Sequence, residues 1–184
     1  TGHKLGGGFG CGLLLTPEKH LLNAEHPLLA GGNQELSLRA GSHNIEAIIA
    51  LSLALRKKVE ANDYTLWRQR TIDFERLLTE KLSFIAGFDI IGSQADRAPG
   101  TTLLLLPEVP IDFLVMALDK EGITVSTGTS CKSRSRTPSQ ALLAMGYSER
   151  HALSLIRLSY GQNFAGQEMA TAAETIARAA AALL

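Results

Sequence analysis

Cys131 lies in Val125-Ser-Thr-Gly-Thr-Ser-Cys131-Lys-Ser-Arg-Ser-Arg-Thr-Pro-Ser139, a small, polar stretch with three basic side chains close by, Lys132, Arg134 and Arg136. A packing cysteine keeps apolar company, whereas a reactive thiol needs exposure and nearby positive charge. The residue types therefore suit a nucleophilic thiolate on a mobile arm; the plainer alternative is a surface thiol in an ordinary loop. At the other end of the chain, Thr1-Gly2-His3-Lys4 runs into the glycine-rich Leu5-Gly6-Gly7-Gly8-Phe9-Gly10-Cys11-Gly12. A lysine beside a histidine at such a turn can form a Schiff base with an aldehyde cofactor, or be a solvated terminal lysine. Arg157 stands inside the apolar Leu155-Ile-Arg-Leu-Ser159. It is either half of an internal ion pair or a planar fork for a substrate carboxylate. Gly31-Gly-Asn-Gln-Glu35 followed by Arg39-Ala-Gly-Ser42 offers amides and a hydroxyl to an anion at a helix start, or a structural turn with a cap. A lysine that binds an electrophile and a distant thiol together suggest chemistry on sulfur.

The elements that must carry these residues alternate in type. A helix is expected from Ile45, where Ile45, Ile48, Ile49, Ser52, Leu55 and Val59 recur at three- and four-residue steps, with Ser42 or Asn44 as its cap. A second helical stretch has Leu66, Phe74, Leu77, Leu78, Leu82 and Ile85 on one side, and Glu60-Ala-Asn-Asp63 is a bend or part of one long helix. Strands are expected at Leu13–Thr16, Phe88–Ile91, Thr101–Leu106, Ile123–Ser126 and Leu155–Ser159. Helices are expected at Ile111–Glu121, with Phe113, Leu114, Ala117 and Leu118 inward, from Pro138 to Met145, and from Gln167 to Leu184, with Met169, Ala173, Ile176, Ala180 and Leu183 inward. This order implies an α/β or α+β layer packing. Cys11, beside the first apolar run, is expected to be buried and inert.

Composition narrows the function classes. The 184 residues hold 18 Lys plus Arg and 18 Asp plus Glu, so the net charge is zero; this argues against nucleic acid as a partner. Two cysteines make no disulfide framework, and a reducing, cytoplasmic setting is the simpler expectation. No apolar run is long enough for a membrane span. His20, His26, His43 and His151 lack metal-ligand spacing, so no metal is expected. The chain opens at Thr1 on a glycine turn with no element before it, and is expected to lack its beginning.

Taken in order, Thr1-Gly-His-Lys4, Gly31-Gly-Asn-Gln-Glu35, Arg39-Ala-Gly-Ser42, the Cys131 segment through Pro138-Ser139 and Ile156-Arg-Leu-Ser-Tyr-Gly161 resemble the cysteine desulfurases of the NifS/IscS type. These belong to the class V aminotransferase group of fold-type I pyridoxal-phosphate enzymes. Each block is weak alone; their order and the 127 positions from Lys4 to Cys131 make the set specific. The resemblance implies the C-terminal part of a fold-type I transferase, with residues 1–60 as the end of the large cofactor-binding domain and 61–184 as the small α+β domain. It implies pyridoxal 5'-phosphate as cofactor, held as an aldimine on Lys4, with Thr1 and His3 at its phosphate. Ser42 falls where a threonine usually reaches the phosphate in the neighbouring subunit, which implies a homodimer. Arg157 matches the arginine that holds the substrate carboxylate, and Cys131 the cysteine that receives sulfur from L-cysteine as L-alanine leaves. The implied partners are a missing N-terminal half or complementary chain and a sulfur acceptor such as an iron–sulfur scaffold. Gly8-Phe9 departs from the family's usual proline and lysine, and Ser42 from its threonine. A non-catalytic fragment or subunit, and a selenocysteine or carbon–sulfur lyase, are the alternatives.

Overall fold

A computed structural model of the chain describes residues 1–16, 27–61, 64–127 and 137–184. The chain divides into two compact units, Thr1–Asn62 and Asp63–Leu184.

In the first unit the glycine-rich run is laid along helix α1 (Ile45–Ala61). A short 3-10 turn, Gly2–Leu5, is closed by the amide of Gly2 on the Cys11 carbonyl at 2.7 Å and the amide of Gly7 on the Gly2 carbonyl at 3.0 Å. Gly6 ends it at φ 89°, a conformation glycine adopts without steric cost. A side chain at Gly7 would place its Cβ 2.7 Å from the Leu51 Cα, so backbone and helix approach too closely for any other residue. Ala50 and Ala54 face Gly8 and Gly6, and Asn44 faces Gly10. This close approach sets which side of α1 is covered. Ala47 and Leu51 are buried, while Ile45, Ile48, Ile49 and Val59 are exposed. The helix itself matches its apolar periodicity, and Asn44 caps it, its Oδ1 accepting from the Ala47 amide at 3.1 Å.

Leu13–Thr16 is not a strand. It is irregular, and Leu14 and Leu15 are 75% and 82% exposed. A strand needs a partner edge for its amides, and among the described residues Leu13, Leu14 and Leu15 form no ladder with another segment. Cys11 is half-exposed rather than buried, its thiol near the Gly12 carbonyl. Whether a bend falls at 62–63 lies outside the described residues.

The second unit is an antiparallel four-stranded sheet in the order β1-β2-β4-β3, built from β1 (Asp89–Ile90), β2 (Thr101–Leu105), β3 (Ser126–Thr127) and β4 (Leu155–Ser159). Helices α2 (Tyr64–Leu82), α3 (Ile111–Lys120) and α6 (Gln167–Ala181) cover one face. Two short helices, α4 (Gln140–Ala144) and α5 (Glu149–Leu153), lie against part of the other. The main core joins Phe74, Leu78 and Leu82 of α2 to Leu104, Ile156 and Leu158 of the sheet, Leu114 and Leu118 of α3, and Met169, Ala173, Ile176 and Ala180 of α6. Phe74 meets Tyr160 and Phe164 edge-on at centroid distances of 5.2 and 4.9 Å. A smaller cluster of Ile91, Leu105, Leu142, Ala152 and Leu155 lies under the short helices.

Most expected elements of this unit form. Two expectations about facing do not hold. Phe113 is 62% exposed, and Ile111 fills its expected place in the core. Leu66 is exposed at the start of α2. Helix α5 was not expected; Ser148 caps it, its Oγ accepting from the His151 amide at 3.3 Å.

One charge is buried and satisfied. The Glu75 carboxylate accepts from Thr102 Oγ1 at 2.7 Å and pairs with the Arg97 guanidinium. Because Thr102 spends its proton on Glu75, the Tyr160 hydroxyl, 2.9 Å away, donates to Thr102. A buried carboxylate without such partners would cost several kcal/mol.

Candidate active site

Lys4 lies on the 3-10 turn that the glycine run fastens to α1. It is exposed, and among the described residues it has no ion-pair partner. Thr1 and His3 are exposed on the same turn, with the His3 ring stacked on Phe9 at 5.1 Å. The glycines here therefore serve close packing, and they leave the lysine side chain outward. Phe9 supplies the stacking surface.

Ser42 ends the loop that precedes α1. Its neighbour Asn44 faces Gly10 of the glycine run, so the Ser42 loop and the Lys4 turn belong to one packed unit. Asn44 does the capping, which leaves the Ser42 hydroxyl exposed and without a hydrogen-bond partner among the described residues. His43, which its spacing assigned to no site, bonds through Nε2 to Glu35 Oε1 at 2.9 Å. Its place next to Ser42 was the signal that spacing rules for metals could not use.

Arg157 lies in β4 opposite Leu103 of β2 and Ser126 of β3. Side chains alternate across a strand, so Ile156 and Leu158 enter the main core while Arg157 faces the other way. Helices α4 and α5 cover the Leu105 and Leu155 end of that face, and Leu103, opposite Arg157, packs against the same cluster; Arg157 itself is exposed. No carboxylate of the described residues pairs with it, so it is neither buried nor an internal ion. Strand β3 begins beside Arg157 and runs on toward the segment that carries Cys131. Cys131 itself, with Lys132, Arg134 and Arg136, lies outside the described residues.

The residues of the first unit suit an aldehyde phosphate cofactor. They offer an exposed amine with no ion-pair partner among the described residues, an imidazole and two exposed hydroxyls. Among the described residues, no group of His, Cys, Asp or Glu could hold a metal ion. No helix among them is long and apolar enough to cross a membrane.

The family model for aminotransferase class-V matches residues 1–169. The chain is 32% identical over 179 residues, 96% of its length, to a Bacillus subtilis protein named IscS 1. It is 30% identical over 182 residues to an IscS-like cysteine desulfurase of Mycobacterium tuberculosis. It spans 46% and 45% of those relatives, less than half of each. Two solved structures resemble it: a NifS-like protein at TM-score 0.66 and 26% identity, and a NifS-like protein from Rickettsia africae at 0.61 and 25%. Each comparison covers 83% of this chain and 38% of the solved one. The expected fold, part of a fold-type I transferase, therefore stands. The chain belongs to the aminotransferase class-V family, and within it to the NifS/IscS type.

Proposed function

We propose that the protein is a cysteine desulfurase that takes sulfur from L-cysteine, releases L-alanine and holds the sulfur as a persulfide on Cys131. In this reading residues 1–60 are the end of a large pyridoxal-phosphate domain, and 61–184 form the small domain that carries the sulfur-accepting arm. The observation that supports it most is the place of Arg157. Its guanidinium is exposed, has no carboxylate partner among the described residues, and lies beside the strand that precedes the Cys131 segment in the chain.

Lys4 would hold the cofactor through its amine, Thr1 and His3 would hold its phosphate, and Ser42 would reach the phosphate of the cofactor in a second copy. What pyridoxal phosphate supplies when bound is an electron-withdrawing ring. Once free, the Lys4 amine moves the proton on the substrate α-carbon as base and then acid. Arg157 grips the substrate carboxylate with two parallel hydrogen bonds and so fixes where its sulfur points. Lys132, Arg134 and Arg136 favour the Cys131 thiolate. That thiolate attacks the substrate sulfur. An S–S bond forms, the C–S bond breaks, and its electron pair stays with the carbon fragment, which is protonated and leaves as alanine. The arm then delivers the sulfur elsewhere, to an iron–sulfur scaffold or a thiolation enzyme. Ser42 serves the cofactor phosphate of a second copy, so the working unit is a homodimer, and its setting is cytoplasmic.

The test is to incubate the full-length protein with pyridoxal phosphate and L-cysteine under a thiol reductant. Equal amounts of alanine and sulfide are expected, and neither from Lys4→Ala. Turnover by Lys4→Ala, or no alanine from the parent protein, would overturn the reading.

A further inference from the structure

The loop ahead of Ser42 carries backbone strain that its residue types do not favour. Glu35, Leu36 and Ser37 follow one another at φ 52°, 59° and 65°. A residue with a Cβ pays about 1–2 kcal/mol for that left-handed conformation. Such strain persists where the surroundings over-determine it.

Two sets of contacts do so. The base of the loop is closed by the Leu28 amide on the Leu38 carbonyl at 2.7 Å and the Ala40 amide on the Leu29 carbonyl at 2.9 Å. The tip is tied to the residues on either side of Ser42. Gln34 Oε1 accepts from the Gly41 amide at 3.4 Å, and Glu35 Oε1 meets His43 Nε2 at 2.9 Å. Both neighbours of Ser42 are thus fastened to the start of the strained turn. The serine hydroxyl between them has no partner among the described residues.

We propose that Gln34, Glu35 and His43 are positioning residues that brace Gly41-Ser42-His43 and present the Ser42 hydroxyl to the cofactor phosphate. The inference rests on the reading of Ser42 as a phosphate ligand. Glu35 does not touch the phosphate; its charge is engaged by His43, and the strained turn sets the angle at which the brace holds. A hydroxyl on a wandering loop would lose rotational freedom on binding, whereas one held at both flanks loses less.

The test is an absorbance titration of the full-length protein with pyridoxal phosphate and, separately, with phosphate-free pyridoxal. Ser42→Ala and Glu35→Ala are each expected to weaken pyridoxal phosphate by about tenfold, the size of one hydrogen bond to a charged group. Both are expected to leave pyridoxal unchanged. Glu35→Gln keeps an acceptor for His43 and is expected to restore the parent affinity. His43→Ala removes the same contact from the other side and is expected to give the same selective loss, which covers the case in which Glu35→Ala does not fold. If Ser42→Ala weakens pyridoxal phosphate selectively while neither Glu35→Ala nor His43→Ala does, the brace is wrong and the Ser42 reading stands. If Ser42→Ala has no selective effect, the Ser42 reading fails and the brace with it. Equal weakening of both ligands by Glu35→Ala and His43→Ala would also overturn the brace, as general damage to the unit.

Discussion

The two units of this chain treat their apolar residues in opposite ways. The second buries Phe74, Leu78, Leu82, Leu104, Leu114, Leu118, Ile156 and Ile176 almost completely between a sheet and its helices. The first buries Ala40, Ala47 and Leu51, and leaves Phe9, Leu13, Leu14, Leu15, Leu28, Leu36, Ile45 and Ile49 exposed. Folding must offset about 1–2 kcal/mol of backbone entropy per residue, chiefly through apolar burial. Among the described residues the second unit has the means to do this alone, and the first does not. The difference also divides the chemistry. The residues proposed to hold the cofactor, Lys4, Thr1, His3 and Ser42, all lie in the unit that needs covering. Arg157 and the approach to Cys131 lie in the self-sufficient one.

The largest effect should come from separating them. Residues 63–184 alone are expected to unfold cooperatively in urea, and residues 1–62 alone to show no transition. A cooperative transition in the first fragment would break the comparison. Next come single truncations. Leu118→Ala, in the buried core, is expected to cost about 2–5 kcal/mol. Leu14→Ala, on exposed chain, should stay within about 0.5 kcal/mol. Chemical denaturation of both variants checks this, and similar losses would mean that Leu14 is covered in the protein.

Gly7→Ala sharpens the comparison from the other side. Its new Cβ meets the backbone of Leu51, so the Lys4 turn must lift from α1. A cost of about 1–3 kcal/mol is expected, together with weaker cofactor absorbance. Normal absorbance would show that the position of the turn does not matter.

The smallest effect is at Tyr160. Burial raises its pKa above the ordinary value near 10, against the opposing pull of its hydrogen-bond contacts with Thr102 and Thr71. The neutral form is favoured in the folded state, so the stability it contributes is whole below pH 10 and is lost as pH rises through the raised value. Tyr160→Phe is expected to cost about 1 kcal/mol at neutral pH through the lost bond to Thr102, and to flatten the decline of stability above pH 10. An unchanged slope would assign the alkaline loss to other groups.

How much of this was legible depended on whether burial or close approach governed the position. Helix α6 and strand β4 followed from their periodicity, because each packs one face into a core of its own unit. Helix α1 was legible as a helix, but its covered side was not. Apolar periodicity pointed to Ile45, Ile48 and Ile49, and the glycine run instead selected Ala47 and Leu51, beside which a bare backbone fits. Leu13–Thr16 read as a strand because it is a short apolar run between glycines and a proline; nothing local reports whether a pairing edge exists. Arg157 read either as an internal ion or as a fork for a carboxylate, and the strand's two-residue alternation, which sets it opposite Ile156 and Leu158, already spoke against the first. The left-handed turn at Glu35–Ser37 left no trace in residue type, since no glycine occupies it. The motif residues were legible through their order along the chain, which resemblance reads directly and composition does not.

The most direct test of the central claim is mass spectrometry of the full-length protein after incubation with pyridoxal phosphate and L-cysteine, without reductant. One added sulfur atom on Cys131 is the expected result, absent from Lys4→Ala. An unmodified Cys131 under conditions that release alanine, or the sulfur found on Cys11 instead, would contradict it.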